Sequence, residues 1–358
     1  MATFSVRQSG STTIPNTGGS ATATVSSYTA ANTILKISVR GGNTSPTDDM
    51  VRAVKTNSTT LTFTRTGTTV TTVVFWELIE FSDGVTVQDI SVSAEGTQAI
   101  SAVDLGQSWL TITGLGANSG FSGKYAPLLQ FNSTTQIELD TDSVAWGTGG
   151  TIQVVDYTGC DVQNTTRTLT TSTATQTTTT LTAVDTDVTL VFGSMKIDGN
   201  PILFNAGFWR CFLASSVSQQ MNRNAGTSFT MNFNMFAVEF TDDTAVQDVQ
   251  GTITGGSTTG NFTFSAVTQS RTMTWLGGCN AYGMSTGLIA HAGDGGTHAM
   301  FTSAFTTTTN FQVVRVGTSD NSSISGQSIE FAAPAVGGTG SSVAALQSIA
   351  PRQQVGML

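Results

Sequence analysis

VVFWELIEF (73–81) runs into GVTVQ (84–88), and related phrases return along the chain. An apolar run closes on an acidic–aromatic pair, and a Val-x-Val-Gln-like strand follows. The second copy is IQVVDY (152–157) with DVQ (161–163), and the third is FNMFAVEF (233–240) with AVQDVQ (245–250). The fourth is read as FQVVRV (311–316), degraded and followed by SISGQSIEF (323–331). This alignment puts Phe81, Tyr157, Phe240 and Val316 at one repeat position, at intervals of 76, 83 and 76 residues. Glu80, Asp156 and Glu239 precede the first three, with Arg315 in the fourth place. A period of this length must be recognised before any local motif is interpreted.

Other phrases carry the same period. SAVDLGQSWLTITGLG (101–116) resembles TAVDTDVTLVFGSM (182–195) and SAVTQSRTMTWLGG (265–278). VRAVKTNSTTLTFTR (51–65) resembles LLQFNSTTQIEL (128–139), and FSVRQ (4–8) reads as a further copy of the Gln-bearing strand. The expected organisation is four β units, at 1–84, 85–160, 161–245 and 246–335, with a linker and docking tail at 336–358.

Within a unit the alternation is that of strands. TILKISV (33–39) places Ile34, Ile37 and Val39 inward, and TLTFTR (60–65) does so for Leu61 and Phe63. Thr is β-branched and suits a half-exposed pleated face. Gly-centred turns such as Ser82-Asp83-Gly84 supply positive φ without steric cost. SVAALQSIA (342–350) is the one fair helix candidate. The fold class expected is all-β: a tandem array of about four small β-sandwich-like units, each near 80 residues.

Composition restricts function. Of 358 residues, charged side chains make up 10%, and the net charge is −9. The four lysines, Lys36, Lys55, Lys124 and Lys196, are scattered, which argues against nucleic acid as a partner. No apolar run approaches the roughly 18 residues of a membrane helix. The start, MATFSVRQSG, lacks the basic and apolar regions of a Sec signal, so export by that route is not expected. Cys160, Cys211 and Cys279 are read as buried thiols rather than a disulfide framework.

Motifs for chemistry are few. His291 and His298 flank Asp294 in a Gly-rich stretch, but two His fall short of a metal site with three convergent ligands. The oxygen-rich runs at 140–143, 240–245 and 319–323 lack EF-hand spacing. The recurrent Glu80, Asp156 and Glu239 are expected to accept turn hydrogen bonds or to pair with Arg, because a catalytic site is seldom needed several times over. Trp76, Trp109 and Trp275 fall on strands, where Trp is usually core. No catalytic residue, cofactor or metal is expected.

The run TTLTFTR…VTTVVFWELIEF…GVTVQ (59–88), with weaker copies at 133–163, 228–250 and 308–327, resembles the β-repeat modules of virion structural proteins of tailed bacteriophages. The resemblance implies a non-enzymatic protein of the particle exterior: capsid decoration or cement, or a fibre or tail component. It implies partners that are other copies of the chain and other virion proteins, and a location in the virion after assembly in the host cytoplasm. The alternative is a carbohydrate-binding adhesin or receptor-binding fibre, with a host-surface glycan as partner. The Gly/Ser-rich hinge after Pro334 and the short apolar stretch beyond it make Leu346 and Ile349 the expected partner-docking anchors.

Overall fold

The computed structural model describes residues 1–41, 50–116, 127–141, 149–170, 176–198, 209–223, 230–276, 288–290, 301–315 and 322–333. It is all-β, a repeated array of small units. The first comprises β1 (Thr3–Ile14), β2 (Ser20–Thr24), β3 (Thr33–Gly41), β4 (Arg52–Asn57), β5 (Thr60–Thr64) and β6 (Thr72–Asp83). The second comprises β7 (Val85–Val92), β8 (Gly96–Ala99), β9 (Ser108–Leu115), β10 (Leu128–Ser133), β11 (Gln136–Asp140) and β12 (Gly150–Tyr157). The third comprises β13 (Cys160–Leu169), β14 (Gln176–Thr180), β15 (Thr189–Asp198), β16 (Trp209–Ser215), β17 (Ser218–Arg223) and β18 (Thr230–Phe240). The fourth comprises β19 (Ala245–Ile253), β20 (Thr259–Thr263), β21 (Thr272–Leu276), β22 (Leu288–Ala290), β23 (Thr302–Thr307), β24 (Asn310–Val314) and β25 (Ser322–Glu330).

Every unit has one wiring, to which the fourth adds β22 paired with β25. Its first, third and last strands make one antiparallel sheet with the last strand central: β1-β6-β3, β7-β12-β9, β13-β18-β15 and β19-β25-β21. Three shorter strands make the second sheet: β2-β5-β4, β10-β11-β8, β14-β17-β16 and β20-β24-β23. The central strand is the long apolar run of the repeated phrase, and burial on both faces explains its lack of alternation. In β6, Val74, Trp76, Glu77, Leu78, Ile79 and Phe81 are all buried. The shorter strands alternate: Leu61 and Phe63 of β5 are fully buried, while Thr60, Thr62 and Thr64 are half-buried. Among the described residues the helical elements are two 3-10 turns, Ala30–Asn32 and Gln269–Arg271, and no helix could cross a membrane.

The glutamine of the Val-x-Val-Gln phrase has one role throughout. Gln8 accepts from Ser26 N–H at 2.7 Å and donates to Ser26 C=O at 3.0 Å. Gln88 does the same to Ser101, Gln163 to Thr182 and Gln247 to Ser265. A two-point amide clamp thus ties the first strand of each unit to the link between its second and third strands. The second residue beyond the clamp anchors the hairpin of the second sheet: the N–H groups of Tyr28, Val103, Val184 and Val267 donate to the carbonyls of Ser58, Thr134, Ser216 and Thr308. These four side chains are buried. The Ala-Val phrase of the later units therefore has its first copy in Ser27-Tyr28.

The units close on one another. β4 meets β9 and β12; β10 meets β15 and β18; β16 meets β25, and β15 meets β19; β23 returns to β3 and β6 of the first unit. At the first of these contacts Gly114 has φ 124°, and a Cβ there would lie 1.9 Å from the Val51 carbonyl, so only glycine permits the approach. Replacing Gln88 by Ala, which removes both bonds of one clamp, is expected to cost about 1 kcal/mol. The readout is a lower urea midpoint with an unchanged slope.

Candidate functional site

The repeat-position aromatics meet at one end of the ring. Phe81 and Tyr157 lie 5.5 Å apart at 85°, Tyr157 and Phe240 5.4 Å apart at 74°. Phe240 and Phe331 lie 6.4 Å apart at 84°, and Phe331 returns to Phe81 at 5.1 Å and 87°. Each ring presents its edge to the next, the arrangement aromatic quadrupoles favour. All four are buried. Phe4 seals the group, stacked on Phe331 at 6.2 Å. Tyr157 keeps its hydroxyl satisfied by donating to Asp242 at 2.7 Å, and burial followed by the Asp242 charge pushes its pKa far up.

The fourth member is thus Phe331. Val316, expected there, lies outside the described residues. The acidic residue moves with it. Glu80 accepts Thr29 N–H at 2.8 Å and Glu239 accepts Asp185 N–H at 2.7 Å. Asp156 accepts the N–H of Asp104. In the last unit Glu330 accepts Thr268 N–H at 3.2 Å and pairs with Arg271. Arg315 is not at this position. It follows β24 as Arg65 follows β5, and both guanidiniums bond carbonyls of their unit's first turn: Arg65 that of Pro15, Arg315 those of Thr254 and Ser257. The spacing places the fourth copy on β24, a short alternating strand, whereas the central strand of the last unit is β25, buried along its middle. The long β21-to-β23 connection, 277–301, stretches the interval from Phe240 to Phe331 to 91 residues, so a constant period lands on β24. Ser-Ile-Glu-Phe at 328–331 was the available signal.

The four interfaces are of two alternating kinds. Between the first and second units, Gln153 of β12 accepts Leu35 N–H at 3.1 Å and donates to Asp89 at 2.9 Å. Between the third and fourth, Gln327 of β25 accepts Val191 N–H at 2.9 Å and bonds Asp248. The other pair lacks that glutamine and keeps a serine contact, as the first interface keeps Thr113 on the Ala53 carbonyl at 3.1 Å. Ser194 accepts Leu129 N–H at 2.8 Å between the second and third units, and Ser38 accepts Ser303 N–H at 3.3 Å where the fourth meets the first.

Those last two interfaces share geometry and differ in chemistry. In the former, Phe192 stacks on Phe236 at 5.5 Å, with the Phe131 edge 6.4 Å from Phe236. In the latter, Lys36 and Glu77 take the places of Phe192 and Phe236. Lys36 Nζ lies 3.1 Å from Glu77 and donates to Thr274 at 2.8 Å and Ser303 at 3.1 Å. Arg7 pairs with Glu77 at 2.5 Å and sits over the Phe305 ring at 5.4 Å. Burial opposes the Glu77 charge, but Lys36 and Arg7 outweigh it and hold the carboxyl below its usual range. Burial pulls the Lys36 ammonium down, with Glu77 opposing.

Clefts open between units among the described residues. One, of about 270 Å³ between the fourth and first, is lined by Arg7, Phe75, Trp76, Gln269 and Phe305 among others. The Trp76 indole crosses β1 at Gly10, where a Cβ would lie 2.6 Å from it. Another, of about 660 Å³, lies between the third and fourth units and holds Asp187, Leu213 and Asp248. Trp109 and Trp275 are buried core. Cys160 and Cys211 are buried free thiols; burial pushes Cys211 up to about 12. Leu346, Ile349, the 342–350 stretch, Cys279, His291, Asp294 and His298 lie outside the described residues. Comparison with known protein families, curated proteins and solved structures finds no match.

Phe331→Ala is expected to lower unfolding free energy by about 3–5 kcal/mol, as for other large core deletions. A drop below 1 kcal/mol in chemical denaturation would remove Phe331 from the ring. Lys36→Phe alone leaves Glu77 buried with one partner fewer and should cost about 3–5 kcal/mol. The triple change Arg7→Val, Lys36→Phe, Glu77→Phe copies Val162, Phe192 and Phe236 of the related interface and should recover most of that loss.

Proposed function

We propose that the protein is a non-enzymatic structural component of a tailed-phage virion, carried on the particle exterior as capsid decoration or as a fibre or tail part. It works through contacts with other copies of itself and with other virion proteins. The observation that carries this reading is how the chain uses its few charged side chains. Glu80, Asp156, Glu239 and Glu330 hold the same turn in four units, and Glu77, Lys36 and Arg7 hold the ring shut. Chemistry repeated at equivalent positions serves shape. A closed ring of sandwiches with Thr-rich outer strands suits a rigid surface body whose work is to occupy and present area. The resemblance of 59–88 to virion β modules supplies the class.

A second reading, a carbohydrate-binding adhesin, is favoured by the cleft of about 270 Å³, where Phe75, Trp76 and Phe305 stand beside Arg7 and three serines, Ser9, Ser11 and Ser303. Aromatic faces beside hydrogen-bonding groups are what a sugar requires. Labelling purified particles with an antibody against this chain, followed by electron microscopy, tests the first reading. Regular label on the particle surface is expected, and its absence from intact particles sinks the proposal. Saturable glycan-array binding that free sugar competes away would assign the second.

A further inference from the structure

The interface between the first and second units and that between the third and fourth share one plan and differ at the place a lysine fills. In the former, the side chain of Lys55 of β4 is buried, 1% exposed. Its ammonium donates to the carbonyls of Ala30 and Thr33, each at 2.7 Å, and pairs with Asp89 across the interface at 2.8 Å. Three donors thus meet three acceptors, the full capacity of an ammonium.

The counterpart retains that carboxylate position without the lysine. Asp248 follows the clamp residue Gln247 as Asp89 follows Gln88. Thr186 follows the turn residue Asp185 as Ala30 follows Thr29. Leu213 of β16 stands two residues before Ser215, the hairpin position that pairs with Ser218, as Lys55 stands two before Asn57, which pairs with Thr60. The ammonium's place is therefore given to an isobutyl group, and a cavity of about 660 Å³ opens there, lined by Thr186, Asp187, Leu213, Gln247, Asp248 and Ser265 among others. Gln327 Nε2 takes over the Thr189 carbonyl, the equivalent of Thr33, at 3.2 Å. Where the first unit has Ala31, the third has Asp187, so the cavity gains a second carboxylate as it loses the lysine. None of its lining residues among the described ones is Lys or Arg. Desolvation in the cleft pushes the Asp248 carboxyl up to about 6, partly offset by the bond from Gln327.

We propose that this cavity binds a primary alkylammonium group, from a lysine side chain of a partner or from a free amine, in the place that Lys55 fills in the other half of the ring. Asp248 is the counter-ion, and Asp187 supplies a second carboxylate. The internal lysine shows that this framework accommodates a three-donor ammonium on an alkyl stem, and Leu213 offers that stem an apolar wall. A divalent metal ion would demand about six oxygen ligands in close array, a different requirement from the two carbonyls and one carboxylate that serve Lys55.

The test is titration of the full chain with n-butylammonium chloride and with Nα-acetyl-lysine amide, followed by amide NMR shifts at Gln247, Asp248 and Leu213. n-Butanol is the neutral control and calcium chloride the metal control. Saturable shifts with an ammonium probe and none with butanol are expected, weakened at least tenfold in Asp248→Asn. Tighter binding of the lysine derivative assigns a partner side chain, and tighter binding of butylammonium assigns a free amine. Leu213→Lys should restore the internal pair, raise Tm and abolish binding; if that variant does not fold, Asp248→Asn decides alone. Absence of saturable binding to wild type overturns the proposal, as does equal binding by Asp248→Asn. Saturation at this site by calcium but not by either ammonium probe overturns it too. The virion reading stands or falls separately, on particle labelling.

Discussion

The edge-to-face contact between Phe331 and Phe81 joins the end of the fourth unit to the first, and the rest of the structure leans on it. Each unit by itself is two small sheets of three strands, one of them with a fourth strand in the last unit, and a sandwich of this size buries too little surface to be comfortably stable alone. Closure gives every unit two neighbours. It places the third strand of the first sheet, an edge strand, against another unit in each case, which is one way natural sheets protect their edges. With so few charges available to guard those edges, covering them is the remaining device.

The closure is also demanding. Arg7 of β1 donates to the Gln269 carbonyl at 3.2 Å across 262 positions of sequence, and Lys36 reaches Ser303 across 267. Such contacts carry the chain-entropy cost of the largest loops available, and topologies dominated by them fold slowly. The buried Lys36–Glu77–Arg7 cluster sits at this closing interface, where the related interface has Phe192, Phe236 and Val162. A stacked aromatic pair is compatible with many apolar surfaces, whereas a buried ion pair tolerates only a partner that completes its hydrogen bonds. Thr274 and Ser303 do that for the fourth unit. Chemistry of this kind makes the first unit a poor match for the face that the third unit offers the second.

Alternation of the interfaces gives the ring a two-fold character within its four-fold plan. The first and third units resemble each other, and so do the second and fourth. Gln153 and Gln327 occupy one position in the even units, while Glu77 and Phe236 occupy it in the odd ones. Asp89 and Asp248 mark the same pairing. Against this background the loss of lysine at Leu213 stands out, because the framework around it was kept.

Much of the unit was legible from residues alone. Strand alternation, Gly-centred turns and the recurrence of the Gln and acidic–aromatic phrases depend on neighbours within a few positions, and local rules govern those. The repeated acids read as acceptors of turn hydrogen bonds for the same reason: Glu80, Asp156 and Glu239 each follow one apolar run and face one turn. The last aromatic was missed because spacing was trusted over the phrase itself; Ile329-Glu330-Phe331 repeats Ile79-Glu80-Phe81, but an enlarged connection had moved it. What no local pattern could supply is which faces meet. Lys36 and Phe192 occupy equivalent strand positions, and nothing within ten residues of either tells one that it will face Glu77 and Ser303 and the other Phe236 and Trp275. That choice, and with it the ring and the clefts between units, belongs to the tertiary structure, because burial energies between distant strands depend on the partner surface as much as on the residue itself.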